Sequence, residues 1–244
     1  MQILVAPQKV GVGLEHNLRS LKEYGARVTV LTEMDMGPTS AIPLVRKIFG
    51  RGYRVCSVDR GQHSQEIPVI VKTGLLGRVL DVRLVALSPD MPGGGVGNDR
   101  WMMVVKFRYG RRVYVIIHTH TDAVVQDLHN GKFKDNARWR VTKKAFDKIE
   151  AEAEKHLASK GVHGVFITGD LNVLPIGEGM TDPHSPHQMF RRLGMKYVNT
   201  RVVYLAYHGL AMVGQAHIIP AHSPRNSADH AWILARFHRQ KAKK

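Results

Sequence analysis

Three strand-like runs follow one another in mid-chain, at residues 79–87, 101–107 and 113–119. Each is rich in β-branched and aromatic residues that alternate sides, the mark of a strand with one face against a core. Tyr109-Gly110 between the last two suits a hairpin. Strands joined this tightly pair antiparallel, whereas a doubly wound parallel sheet needs a helix at each crossover. Further strands read at 2–6, 27–32, 53–58, 67–71, 165–167, 201–207 and 231–237. Helices read at 14–24, closed by Gly25, at 42–49, closed by Gly50, at 136–160 and at 188–193. Strands outnumber helices. The expected fold class is α+β: two packed sheets, mainly antiparallel or mixed, flanked by helices.

No internal repeat or composition break divides the chain. It reads as one domain over 1–238 with a basic tail at 239–244. The run Gly93-Gly94-Gly95-Val96-Gly97 lacks the Lys-Ser/Thr ending and following helix of a nucleotide loop, and reads as a linker. Hydrophobic content of 43% permits a full core. The single cysteine, Cys56, excludes an intrachain disulfide and favours a reducing compartment. Nowhere do 18 apolar residues run together, and residue 2 is Gln where a signal peptide would be basic. These features suit a soluble, intracellular chain without membrane insertion. Nothing in the sequence calls for an obligate protein partner.

Charge narrows the partner class. There are 36 Lys and Arg against 20 Asp and Glu, a formal net charge of +16. Long-range attraction to phosphates makes DNA or RNA the expected partner, ahead of an anionic membrane surface.

Polar residues recur where apolar strands end. Glu33 ends one, His118 and His120 another, Asp170 and Asn172 a third, and Asp229 and His230 precede the last. Asp170 and Asn172 share a face if extended geometry persists through Leu171. A carboxylate and an amide at a sheet mouth suit metal-assisted phosphoryl chemistry.

In this order the motifs resemble those of the endonuclease/exonuclease/phosphatase family. The matching pieces are Val30-Leu31-Thr32-Glu33, Ile117-His118-Thr119-His120, Thr168-Gly169-Asp170-Leu171-Asn172 and Ser227-Ala228-Asp229-His230. The resemblance implies a four-layer sandwich and a metal-dependent phosphodiesterase. Glu33 and Asp229 would hold Mg²⁺ or Mn²⁺. Asp170 would orient or deprotonate water, and Asn172 would hold the phosphate. His230 would be a general base or phosphate donor, and His120 a second phosphate contact, with His118 in reserve. Arg100 would be a phosphate clamp. Gln8 or Lys9 stands in for the family's first-strand Asn.

Two further departures stand out. The family's penultimate-strand Asp, which orients the terminal His, has no counterpart in Val202-Val203-Tyr204, and Ala228 splits the Ser-Asp-His signature. Besides a phosphatase acting on a small or lipid phosphate, which the charge disfavours against a nuclease, two rival readings follow. One is a metallo-β-lactamase-like zinc hydrolase built on His118-Thr119-His120-Thr121-Asp122, although Ala123 stands where its last His belongs. The other is a nucleic-acid-binding domain of the same fold that has lost catalysis.

Overall fold

The structure, a computed structural model, describes residues 1–8, 13–32, 41–59, 66–74, 77–87, 100–121, 125–127, 130–134, 137–226, 228 and 230–239. The glycine run at 93–97 lies outside these residues.

The first sheet gathers both ends of the chain. Its strands are β1 (Gln2–Pro7), β2 (Val28–Thr32), β3 (Tyr53–Cys56), β4 (Val69–Lys72), β11 (Leu210–Met212), β12 (His217–Ile219) and β13 (Trp232–Arg239). Their order is β11-β13-β1-β2-β4-β3, with β12 also on β13. β1 and β2 are parallel; the other pairs are antiparallel. The second sheet holds β5 (Gly77–Ala86), β6 (Trp101–Tyr109), β7 (Arg112–His120), β8 (Gly164–Asp170), β9 (Lys196–Thr200) and β10 (Val203–His208). Its order is β5-β6-β7-β8-β10-β9, and only β7–β8 is parallel. The helices are α1 (Leu14–Glu23), α2 (Ile42–Phe49), α3 (Ala137–Leu157), α4 (Glu178–Thr181) and α5 (Pro186–Arg192). This is the expected α+β arrangement of two mixed sheets.

Alternation along each strand builds the layers. In β1, Ile3 and Val5 face the second sheet and pack with Met103, Val105, Ile116 and Phe166. Leu4 and Ala6 face the other way, into a core with α1 and α2 residues such as Leu18, Leu21 and Val45. In β6, Met102 and Val104 turn outward onto α3 and α5, meeting Phe146, Ile149 and Phe190. The order of layers is helices, sheet, sheet, helices.

Four short elements escape the sequence reading: α4, β9, β11 and β12. Arg239, which the sequence reading assigns to the basic tail, is the last residue of β13 and pairs with Leu210; residues 240–244 lie outside the described residues. Cys56 is buried at the end of β3, and burial pushes its thiol up to about 12, so it is an inert core group.

Candidate active site between the two sheets

Topology collects the polar strand ends at one edge of the sandwich. β7 and β8 are parallel and finish together, with His120 opposite Asp170. β1 and β2 are parallel as well, with Pro7 opposite Thr32 and the Gln8 amide donating to the Thr32 carbonyl. Antiparallel neighbours begin where these strands end: β4 beside β2, β6 beside β7, β10 beside β8 and β13 beside β1. The starts of β4, β6 and β13 therefore bring in Glu66, Arg100 and His230.

Asp170 is the last residue of β8 and is fully buried. Its Oδ1 accepts from the Asn172 amide at 2.9 Å, an Asx turn. Its Oδ2 stands 3.5 Å from His230 Nε2. The His230 side chain is 28% exposed, against 1% for Asp170. The imidazole thus faces the opening and the carboxylate lies behind it.

The chain turns sharply after Asp170. Asn172 has φ 51°, a left-handed conformation that Asn tolerates. Extended geometry does not persist through Leu171, and the shared face expected for Asp170 and Asn172 is replaced by this turn. Asn172 Nδ2 donates to the Thr121 carbonyl at 2.7 Å. Leu171 N donates to Val202 O, and the Tyr204 hydroxyl donates to Val173 O at 2.7 Å. Gln126 ties the loop further: its Oε1 accepts from Leu174 N at 2.7 Å and its Nε2 donates to Gly131 O at 2.9 Å. Gly169 makes the close strand approach possible. Its φ is 140°, and a Cβ there would lie 1.8 Å from the Thr119 carbonyl oxygen.

His118 is not a phosphate contact. It is fully buried, its Nε2 is 2.7 Å from Leu31 O and its Nδ1 is 3.0 Å from Thr168 Oγ1. Burial, the dominant cause, holds the imidazole down to about 4. Nδ1 also lies 3.1 Å from the Thr168 carbonyl; in the neutral ring that donates from Nε2–H to the Leu31 carbonyl, Nδ1 accepts from the Thr168 hydroxyl. His118 is a tie between the sheets. With both nitrogens committed, it cannot join His120 around zinc, which removes the basis of the β-lactamase-like reading.

His120 and Arg100 meet on Glu66. His120 Nδ1 and Arg100 Nη1 each lie 3.3 Å from Glu66 Oε2. Sequence reasoning passed over Glu66. The rule that picked Glu33, a carboxylate abutting an apolar strand, applies equally to Glu66 before Ile67.

Gln8 points toward α1. It shares the face of Leu4 and Ala6, and its Oε1 accepts from Asn17 Nδ2 at 2.9 Å. Its Nε2 is buried with no hydrogen-bond partner. Within the stretch 202–204, where the sequence offers no carboxylate, Val203 pairs directly with Asp170 across β10–β8 and is fully buried. Among the described residues, Asp170 is the carboxylate that approaches His230.

Glu33, Asp229 and Lys9 lie outside the described residues. Among the described residues, no group of three or more His, Cys, Asp or Glu stands close enough to hold a metal. At this edge the Thr32 and Thr121 hydroxyls are buried without a hydrogen-bond partner. Buried hydroxyl and carboxylate oxygens are donors that suit a hard divalent cation. No described helix is long and apolar enough to cross a membrane.

No family model and no curated protein matches the sequence. Solved structures do match. An endonuclease/exonuclease/phosphatase from Bacteroides vulgatus aligns with a TM-score of 0.70 at 13% identity, covering 98% of each chain. A mannosyl-6-phosphatase from Bacteroides thetaiotaomicron aligns with a TM-score of 0.63 at 12% identity, covering 97% of this chain and 99% of that one. The human Nocturnin catalytic domain, solved with a bound sulfate anion, aligns with a TM-score of 0.66 at 12% identity, covering 98% and 94%. At such identity the likeness establishes architecture, and it extends over nearly the whole chain: the fold is that of the endonuclease/exonuclease/phosphatase proteins, which the sequence motifs resemble.

Proposed function

We propose that the chain is a divalent-metal-dependent phosphodiester hydrolase acting on nucleic acid. The observation that carries this reading is the Asp170–His230 pair, a buried carboxylate 3.5 Å behind a partly exposed imidazole. Such a pair orients a histidine for proton transfer and stabilises its charged form as it develops. Asp170 thereby takes the orienting role for which the sequence offers no carboxylate at 202–204. His230 is the group placed to meet a substrate oxygen or water. Asn172 keeps Asp170 in place through its backbone amide. His120 and Arg100, on the neighbouring strands, are donors for phosphate oxygens.

Glu33 follows the last residue of β2 in sequence, and Asp229 precedes His230; these two would hold Mg²⁺ or Mn²⁺. The ion, when bound, supplies Lewis-acid polarisation of the phosphate. The net charge of +16 favours a long polyanion over a small phosphate ester as substrate.

The test is hydrolysis of labelled single- and double-stranded DNA and RNA, and of a sugar phosphate monoester, with Mg²⁺, Mn²⁺ or EDTA. Cleavage of a nucleic acid that stops in EDTA is expected. Salt-sensitive binding with no cleavage in any metal would instead identify a binding domain, the reading favoured by valine at position 203. Hydrolysis of the monoester alone would refute the polymer assignment.

A further inference from the structure

β3 ends the strand order of the first sheet and β5 that of the second, and the two lie on the same flank of the sandwich. Two hollows run between them. One, of about 480 Å³, is lined by Arg46, Tyr53, Arg54, Ser57 and Val82 among others. The next, of about 490 Å³, is lined by Arg54, Thr73, Arg78 and Val82 among others. Arg54 and Val82 line both, so the hollows join in one trough. Its direction follows from strand register. Cys56, at the end of β3, pairs with Val69, the first residue of β4, and β4 begins at the catalytic edge. The Ser57 end of the trough therefore lies toward that edge. Residues 53–58 span at most about 17 Å along it.

The lining is cationic. Arg46, Arg54 and Arg78 are exposed, and among the described residues no carboxylate forms an ion pair with any of them. The acid in the lining, Asp81, is offset: it lies 3.4 Å from Arg83 and pairs in register with Lys106. At the far end Arg78 stands directly opposite Arg108 across β5–β6. Like charges so placed weaken a strand pair, and an anion beside them relieves the repulsion. The Tyr53 ring is already engaged, with the Phe49 edge 5.2 Å from its centroid and Lys72 Nζ 5.6 Å away over its face. The trough thus offers guanidinium groups and hydroxyls to phosphates rather than open rings to bases.

We propose that this trough is a second nucleic-acid site, which holds the phosphate backbone of a single strand whose other end reaches the catalytic edge. Arg46, Arg54 and Arg78 neutralise phosphates along that strand and release their counterions. A basic groove that tracks one backbone binds with little sequence preference. The inference rests on the nucleic-acid reading of the catalytic edge, but its test does not require turnover.

The test is binding of a fluorescent thymidylate oligomer of about 20 nucleotides, by anisotropy in EDTA across a salt series. The proteins are wild type, the trough variant Arg46→Gln/Arg54→Gln/Arg78→Gln, and a charge-matched control, Arg191→Gln/Lys196→Gln/Arg236→Gln. The control residues are exposed and lie outside the trough lining, on α5, β9 and β13. The trough variant should bind at least about tenfold more weakly at low salt. Its slope of log affinity against log salt should fall by about 2, from three lost contacts at about 0.7 each on a single strand. The control should keep the wild-type slope and lose less than about twofold.

Equal losses in the two variants would reduce the effect to net charge and overturn the proposal. So would an unchanged affinity in the trough variant, no binding by wild type, or an equal trough effect on a duplex of the same length. Displacement of the oligomer by polyglutamate as readily as by unlabelled oligomer would overturn it too, assigning the trough to an acidic protein segment. None of these outcomes touches the hydrolysis assay that tests the catalytic edge. A thermal melt checks folding. If the triple variant is not folded, Arg54→Gln alone replaces it, with an expected fall in slope of about 0.7 and an unchanged slope as the refuting result.

Discussion

Acidification should weaken this protein through one buried ring. His118 has no exposed surface, and burial holds its folded-state value at about 4 against 6.5 for a free side chain. The unfolded chain therefore binds a proton between those values that the folded chain refuses. Stability from this residue is fully present above pH 6.5 and is lost as the pH falls toward 4. A gap of roughly 2.5 pH units at about 1.4 kcal/mol each gives a loss of about 3 kcal/mol between pH 7 and pH 4. The perturbation that isolates it is His118→Gln, which can still donate to the Leu31 carbonyl but does not titrate.

The assay is urea unfolding of both proteins at half-unit pH steps from 7.5 to 4. His156 and His187, also lowered by burial, contribute to both curves and cancel in the difference. The wild-type advantage should shrink by about 3 kcal/mol across the window, with a limiting slope near 1.4 kcal/mol per pH unit. Parallel curves would refute the assignment of His118 as a neutral, desolvated tie between the sheets.

Three further outcomes follow from particular residues. Gly169→Ala should destabilise by about 3 kcal/mol or more in urea unfolding, since the new methyl group meets the Thr119 carbonyl oxygen at 1.8 Å with φ at 140°. Asn172→Gly should be more stable than Asn172→Ala by about 1 kcal/mol, because both lose the bond to Thr121 but only Ala is strained at φ 51°; equal midpoints would contradict the left-handed turn. Nucleic-acid binding by the basic chain should fall about a thousandfold between 50 and 200 mM salt if about six phosphates are contacted. A salt-independent affinity would exclude a phosphate-backbone interface.

Much of the fold is legible because the long strands alternate cleanly. The helix at Ile42–Phe49 is read residue for residue, and β6 and β7 are read to within two residues at each end. β11 and β12 are three residues each and exist because β13 offers them a partner, so no periodicity announces them. At the site, alternation places His118 and His120 on one face but says nothing about depth. Depth separates a structural tie from a ligand contact, and depth is set by the opposite sheet at Leu31.

The turn after Asp170 was hidden for a different reason. The strand pattern continues through Leu171, whereas the chain is diverted by the Asx turn and the pull of Val202 on the Leu171 amide. The pairing of Glu66 was hidden by distance, although its place before an apolar strand was not: its partners lie 34 and 54 residues away in sequence. Asp170 and His230 were each visible as motifs, yet their pairing depends on β8 and β13 lying in facing sheets.

The central claim is that Asp170 directs His230 in a metal-dependent cleavage, and the most direct measurement is the Mg²⁺-dependent cleavage rate of wild type against Asp170→Asn. Asn keeps the shape and the bond to the Asn172 amide but removes the charge behind the imidazole. The account expects kcat to fall at least about a hundredfold, with nucleic-acid affinity and melting temperature retained. Cleavage at the wild-type rate by Asp170→Asn would contradict it.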